Sequence, residues 1–179
     1  MSLVLAILAV GPNGEFGTDD VSQHGLPFHS KSDFNWFKDV TKGQRLVMSQ
    51  KTLDLIPNGL PGREIYINTR QGIKSPHGGF LELGKSNTDV YLAGGKQVYL
   101  NHIDKTDIVL LTINNSVNKE ASIKFDIEEY LKRDFILIYS GSTLESLSAD
   151  KDVNNLLVLS RVIKHPHGGR YYHTPTTVL

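Results

Sequence analysis

The chain reads as one α/β domain: a central, mostly parallel twisted sheet of about eight strands with an antiparallel C-terminal edge, flanked by about four helices. Three observations predict this. Leu3–Val10 and Tyr91–Ala93 are apolar without polar alternation, as strands covered on both faces are. Helix-like segments alternate with strand-like runs through the first hundred or so residues, the pattern of parallel strands joined by crossovers. The last two long runs, Phe135–Tyr139 and Leu156–Ile163, are separated by the polar stretch Ser140–Asn155 with no obvious helix, so they pair antiparallel.

Taken in order, Leu3–Val10 runs into the turn-forming GPNGEFG. It is too short to span a bilayer and has no basic residue before it, so it reads as a buried strand rather than a signal peptide. Asp33–Val40 puts Phe34, Phe37 and Val40 on one helical face. Leu46–Met48 is a strand, and Gln50–Ile56 is a helix offering Leu53 and Ile56. Ile65–Ile67 and Tyr91–Ala93 are strands, and Lys96–His102 is a helix opened by a Gly-Gly pair. Ile108–Ile113 is a strand, and Ile127–Lys132 is a helix with acids at its start and bases at its end, matching the helix dipole. SPHGGF (Ser75–Phe80) and HPHGGR (His165–Arg170) echo each other, but four shared residues make turns, not a repeat. No linker divides residues 1–179, and His165–Leu179 reads as a C-terminal extension.

Composition narrows the function classes. With 39% hydrophobic and 21% charged residues, the chain is ordinary for a folded domain. Nineteen basic and nineteen acidic residues cancel, so no broad basic field draws in nucleic acid or an anionic membrane. The absence of cysteine excludes a disulfide framework, a thiolate nucleophile and a cysteine zinc site, and fits a reducing cytoplasm. His165, His167 and His173 invite a metal reading, but no further ligand cluster accompanies them and they read as a solvated tail. No metal is expected.

Chemistry concentrates in LPFHSKSDFNWFKDVT (Leu26–Thr41). Asp33 opens an amphipathic helix among Phe34, Trp36 and Phe37. Lost solvation raises the pKa of such a carboxylate, while the helix N-terminus opposes the rise. Two coplanar oxygens can accept parallel hydrogen bonds from the amidine-like edge of a flat heterocycle. An acid that merely complements the helix dipole has the same sequence pattern, so both readings stand. Ser49-Gln50-Lys51-Thr52 joins a strand to a helix and suits a pyrophosphate, as any such corner can. Gly94-Gly95, between a strand and a helix, either approaches a phosphate closely or simply turns the chain; it is not a full G-x-G-x-x-G.

Joint order and spacing carry more than any one motif. The LAV strand leading to a glycine-containing loop, LP-aromatic followed by D-F-x-W-F-K, V-M-x-x-K-T, L-P-G-R (Leu60–Arg63), the strand ending Asn68-Thr69-Arg70, and A-G-G-x-x-V-Y occur in register. In this the chain resembles the dihydrofolate reductase family, clearly from Leu3 to about Thr112 and loosely to Lys164.

The resemblance implies NADPH-dependent reduction of dihydrofolate at C6, by a protein that also takes antifolate-type molecules; with no coiled-coil heptads in the sequence, a monomer is expected. Asp33 is similar to the carboxylate that grips the pterin, with Phe28 and Thr112 as further members of the catalytic set and Thr112 bonding that carboxylate and the substrate. Ile7, Leu26, Phe37, Ile56, Leu60, Ala93 and Tyr99 match substrate-side positions, Tyr99 near the nicotinamide. Arg63 resembles the arginine that binds the glutamate α-carboxylate, through a planar fork. Lys51 and Thr52 resemble pyrophosphate ligands, and Gly94 and Gly95 close on the cofactor. Ala9, Gly17, Thr69, Lys96, Gln97 and Val98 match cofactor-side positions, and Arg70 is similar to a residue contacting the 2′-phosphate, favouring NADPH over NADH. No histidine, cysteine or lysine matches a donor for the N5 proton, which implies water as its source. The loop Gly11–Gly25 is expected to close over the site. Phe28 stands where most bacterial members carry tryptophan, Ser49 replaces a glycine, Gln50 a basic residue and Leu53 a tryptophan, and Lys96 interrupts a third glycine. Two other readings are a riboflavin-pathway pyrimidine reductase, which would not need D-F-x-W-F-K or L-P-G-R, and a non-catalytic pterin- or nucleotide-binding module.

Overall fold

The computed structural model describes residues 2–19, 22, 24–56, 58–131, 134–142, 154–164 and 170–172. The chain opens with β1 (Val4–Val10), β2 (Glu15–Gly17), α1 (Lys31–Thr41), β3 (Arg45–Met48) and α2 (Gln50–Asp54). It continues through β4 (Glu64–Thr69), β5 (Gly72–Lys74), β6 (Phe80–Leu81), β7 (Val90–Leu92) and α3 (Lys96–His102). It closes with β8 (Ile108–Asn114), β9 (Ile123–Lys124), α4 (Ile127–Leu131), β10 (Phe135–Ser142), β11 (Asn154–Lys164) and β12 (Arg170–Tyr172).

A ten-stranded sheet runs in the order β10-β11-β8-β1-β7-β3-β4-β5-β6, with β12 paired to β11. The block β8-β1-β7-β3-β4 is parallel. The antiparallel C-terminal edge is present, as β10 pairs with β11 and β11 with β8. The opposite edge is antiparallel too, because β4, β5 and β6 are joined by tight turns. Those short strands, together with β12, raise the strand count above the expected eight; a two- or three-residue strand carries too little alternation to be read from sequence. SPHGGF is the turn between β5 and β6, closed by the Ser75 N–H to the Gly79 carbonyl at 3.1 Å.

Alternation along β1 explains its unbroken apolar sequence. Val4, Ala6, Leu8 and Val10 pack on one side with Val98 and Tyr99 of α3, Phe125, and Tyr130 of α4. Leu5 and Ile7 pack on the other with Trp36, Phe37 and Val40 of α1 and with Leu53 and Ile56. A strand sandwiched between two helical layers has no solvent face on which to place polar residues.

Three expectations are refined. The extension expected at 165–179 contributes β12, which pairs with 162–164 of β11; His165, His167 and His173 lie outside the described residues. The loop 11–25 is not wholly irregular, since β2 within it pairs with β9. Helix α4 carries Glu128 and Glu129 in its first turn, while the bases expected at its end lie outside the described residues. Among the described residues no helix is long and apolar enough to cross a membrane, and no cluster of metal-ligating side chains occurs.

Candidate active site

The carboxyl edge of the parallel block is where α/β sheets hold ligands, and the polar residues singled out by sequence converge there. Ser30 caps α1, its hydroxyl accepting the Asp33 N–H at 3.2 Å, so the backbone at Asp33 is fixed by the helix start. The segment before it lies against the chain leaving β8. Phe28 bridges Val117, and the Asn118 N–H donates to the Pro27 carbonyl at 3.0 Å. Helix α1 starts just past this contact, and its Asp33 side chain meets that of Thr112 on β8. Burial pushes the Asp33 carboxyl up to about 6, and the nearby Thr112 hydroxyl partly opposes the rise. That hydroxyl lies beside the carboxyl without a formed hydrogen bond, so Thr112 Oγ1 is a buried, unpartnered polar atom. Asp33 as a whole is half-buried, and its carboxyl is the part withdrawn from solvent.

Apolar walls surround it. Ile7 and Leu60 are buried, and Phe37, Ile56 and Ala93 are partly buried in the same cluster. Phe28, 2% exposed, supplies apolar surface only. Ile56 lies past the end of α2, which is shorter than expected, yet its N–H still bonds the Leu53 carbonyl at 3.0 Å. Arg63 is pinned beside the C-terminus of α1. Its guanidinium donates to the Lys38 carbonyl, to the Pro61 carbonyl at 2.6 Å and to Thr41 Oγ1 at 3.2 Å. A cation there is favoured by the helix end.

The second corner joins β3–α2 to β7–α3. The Ser49 N–H donates to the Gly94 carbonyl at 2.8 Å, and the Ala93 N–H to Val47 at 2.8 Å. Ser49 caps α2 by accepting the Thr52 N–H at 3.1 Å, and its hydroxyl lies 2.9 Å from Thr52 Oγ1. The Gly94–Gly95 peptide is cis, and Gly94 has φ +118°. A Cβ would lie 3.2 Å from Thr52 at Gly94 and 3.1 Å at Gly95. The corner is tight for any side chain, and at Gly94 the backbone conformation also favours glycine, which fits the close approach of a pyrophosphate. Tyr99 ties the two halves together: its buried hydroxyl donates to the Ile7 carbonyl at 2.8 Å and lies 3.8 Å from the position a Gly94 Cβ would take. Burial drives the Tyr99 phenol far upward, so it stays protonated and donates.

The other sequence-predicted residues are placed as follows. Ala9 pairs with Thr112 across β1 and β8. Val98 is buried under the corner, and Gly17 is buried in β2 against Ile123. Lys51, Arg70, Gln97 and Leu26 are exposed. The Thr69 hydroxyl closes the β4–β5 turn by donating to Gly72 at 2.8 Å. The Lys96 ammonium donates to the Lys124 carbonyl at 2.8 Å. Two residues were left out of the expected site. Phe34, expected on the apolar face of α1 with Phe37 and Val40, is instead 44% exposed and stacked 6.5 Å from His24, outside the cluster that holds the other two. Ser49 was read within the Ser49–Thr52 corner and as a departure from glycine but not as the cap of α2, although serine is a favoured N-cap residue.

Fold and site together define a reductase-like α/β domain, with the Asp33 carboxyl beside Thr112 on one side and the Gly94–Gly95 corner on the other. A family model described as dihydrofolate reductase matches residues 3–134, and the chain belongs to that family. Among its relatives, the dihydrofolate reductase type 3 of Salmonella typhimurium is 28% identical over 118 residues, covering 62% of this chain and 70% of that one. The dihydrofolate reductase of Mycoplasma genitalium is 25% identical over 149 residues, covering 75% and 91%. A solved dihydrofolate reductase from Enterococcus faecalis, complexed with NADP(H) and RAB-propyl, superposes with a TM-score of 0.66 at 16% identity, over 89% of this chain and 96% of that one. The fold is shared although few residues are.

Proposed function

We propose that this chain works as a dihydrofolate reductase, forming tetrahydrofolate from dihydrofolate with NADPH, and that Asp33 is the residue on which the reaction turns. The observation that carries this is the desolvated Asp33 carboxyl, beside Thr112 at the same sheet edge as the glycine corner. The carboxylate accepts the N3–H and 2-amino hydrogens of the pterin through both oxygens. Thr112 holds that carboxylate and the ring edge, while Ile7, Phe37, Ile56 and Leu60 exclude water from the ring. Arg63 meets the glutamate α-carboxylate with the part of its fork not engaged by α1. Thr52, Lys51 and the backbone of Gly94 and Gly95 hold the cofactor's pyrophosphate, and Arg70 at the β4–β5 turn favours a 2′-phosphate.

NADPH, when bound, supplies the hydride that C6 receives. Asp33 holds the ring in register for that transfer, and its negative charge favours a proton arriving at N5 from water. The loop 11–25 closes the cleft against bulk solvent. It is already anchored at two points, through β2 on β9 and through His24 Nδ1, 3.2 Å from the Leu55 carbonyl. Residues 1–179 act as one domain, as a monomer, in the cytoplasm; nucleic acid and membranes are not partners.

The test is loss of absorbance at 340 nm on mixing the protein with NADPH and dihydrofolate, abolished by methotrexate. Folded protein that binds both ligands but never oxidises NADPH would make this a binding module instead.

A further inference from the structure

On the α1 side of the sheet, β8 carries two polar side chains amid isoleucine, valine and leucine. Thr112 and Asn114 lie two residues apart on one strand and so share a face. Both are fully buried. Asn114 Oδ1 accepts the Ser116 N–H at 2.9 Å, which assigns the amide: its oxygen is taken and its Nδ2 is left. Asn114 Nδ2 and Thr112 Oγ1 are both buried without a hydrogen-bond partner. Orphans of this kind are rare in folded proteins and call for an explanation.

Their placement suggests one. The Phe28–Val117 bridge and the Asn118–Pro27 bond tie the segment before α1 to the chain leaving β8, and the Thr112 side chain acts on the Asp33 carboxyl. Asn114 lies two residues further along β8 on the face that carries Thr112, the residue whose side chain meets the Asp33 carboxyl. We propose that Asn114 is a positioning residue for Asp33: its amide, with the Thr112 hydroxyl, holds a buried water against the carboxyl. That water accepts from Asn114 Nδ2, donates to Asp33 and shares a hydrogen bond with Thr112 Oγ1, within the two to four or so partners that buried water needs.

A donor held toward the carboxyl favours its ionised form and opposes the effect of burial. It also fixes the plane in which the two oxygens accept. Asp33 is the titratable group that α1 turns toward this pair. Ala9 and Leu156, the register neighbours of Thr112 on β1 and β11, carry no charge. Lys31 and Lys119 are exposed. Glu15 on β2 is engaged by Asn13, whose N–H and Nδ2 donate to it at 2.8 and 3.1 Å.

The inference rests on Asp33 as the ring-gripping group, but its test does not require turnover. Ligand-free protein carrying 13C-labelled aspartate carboxyls is titrated by NMR as wild type, Asn114→Val and Asn114→Ser. In Asn114→Val the Asp33 midpoint moves up by about half a pH unit or more, and the pH below which the KM for dihydrofolate rises moves with it while the KM for NADPH stays constant. Asn114→Ser, which keeps a hydroxyl to accept from Ser116 and to donate, returns the midpoint toward wild type. In wild-type protein the Asn114 Nδ2 protons show a cross-peak to a long-lived water. An unshifted midpoint in folded Asn114→Val, a Ser variant matching the Val variant, or no water cross-peak overturns the proposal. If Asp33→Asn retained full turnover while Asn114→Val still shifted Asp33, the reading of the active site would fail and this one would stand.

Discussion

At the scale of single residues, Asp33 carries two opposing demands. Enclosure beside Phe37, Ile7 and Phe28 makes its charge costly, and that same enclosure makes the carboxylate a strong acceptor for a ring edge. Replacing it with asparagine separates the two. Asp33→Asn should lose roughly 10²-fold or more in turnover near neutral pH, measured at 340 nm, with the fold retained. It should also be the more stable protein at pH 7. The Asp33 pKa is raised to about 6 on folding, a rise worth up to about 3 kcal/mol. The sign follows from proton binding. Between about pH 4 and 6 the folded state holds a proton that the unfolded state has released, so wild-type stability falls as pH rises through that window. The advantage of the Asn variant should therefore vanish below about pH 4, which denaturant titrations at pH 4 and 7 would check. The same ionisation sets binding: the KM for dihydrofolate should rise as pH falls below about 6 in wild type, and that dependence should be missing in the variant. A flat KM across this range would count against Asp33 as the ring-binding group.

Among elements, the decisive unit is the pair of strand-to-helix corners rather than either helix. Helix α2 spans only Gln50–Asp54, too short to stand on propensity, and it is held by the Ser49 cap and by the bond from Ser49 to Gly94. Gly94 is where the corners touch, and its φ of +118° is open to glycine and strained for other residues. Gly94→Ala should cost about 1–3 kcal/mol in stability and push Thr52 away. Its clearest effect should be a KM for NADPH raised about tenfold or more, with the KM for dihydrofolate changed little. Equal losses in both would mean general damage to the sheet edge rather than to the cofactor corner.

For the whole molecule, both ligand sites are assembled from distant segments on one sheet, so binding should be felt globally. NADPH at about a hundred times its Kd should stabilise the fold by about 2.7 kcal/mol, a Tm rise of roughly 5–10 °C for a domain of this size. NADH at the same concentration should raise Tm less, and Arg70→Ala should narrow the gap; identical shifts with the two nucleotides would remove Arg70 from 2′-phosphate recognition. The parallel core was legible because strands buried on both faces must be apolar throughout, and α3 because a Gly-Gly pair precedes a helical pattern. The motifs around Asp33, Thr52 and Gly94 were legible as a set through their order, since chemistry restricts residue type at those positions. What local sequence could not decide was the meaning of Asp33, which reads equally as a helix-dipole acid until Thr112, far along the chain, is brought beside it. Nor could it reveal the exposure of Phe34, the edge strands β5 and β6, or the orphaned amide of Asn114. Composition and periodicity report which surfaces must leave water; only long-range packing determines which polar group each buried polar atom meets there.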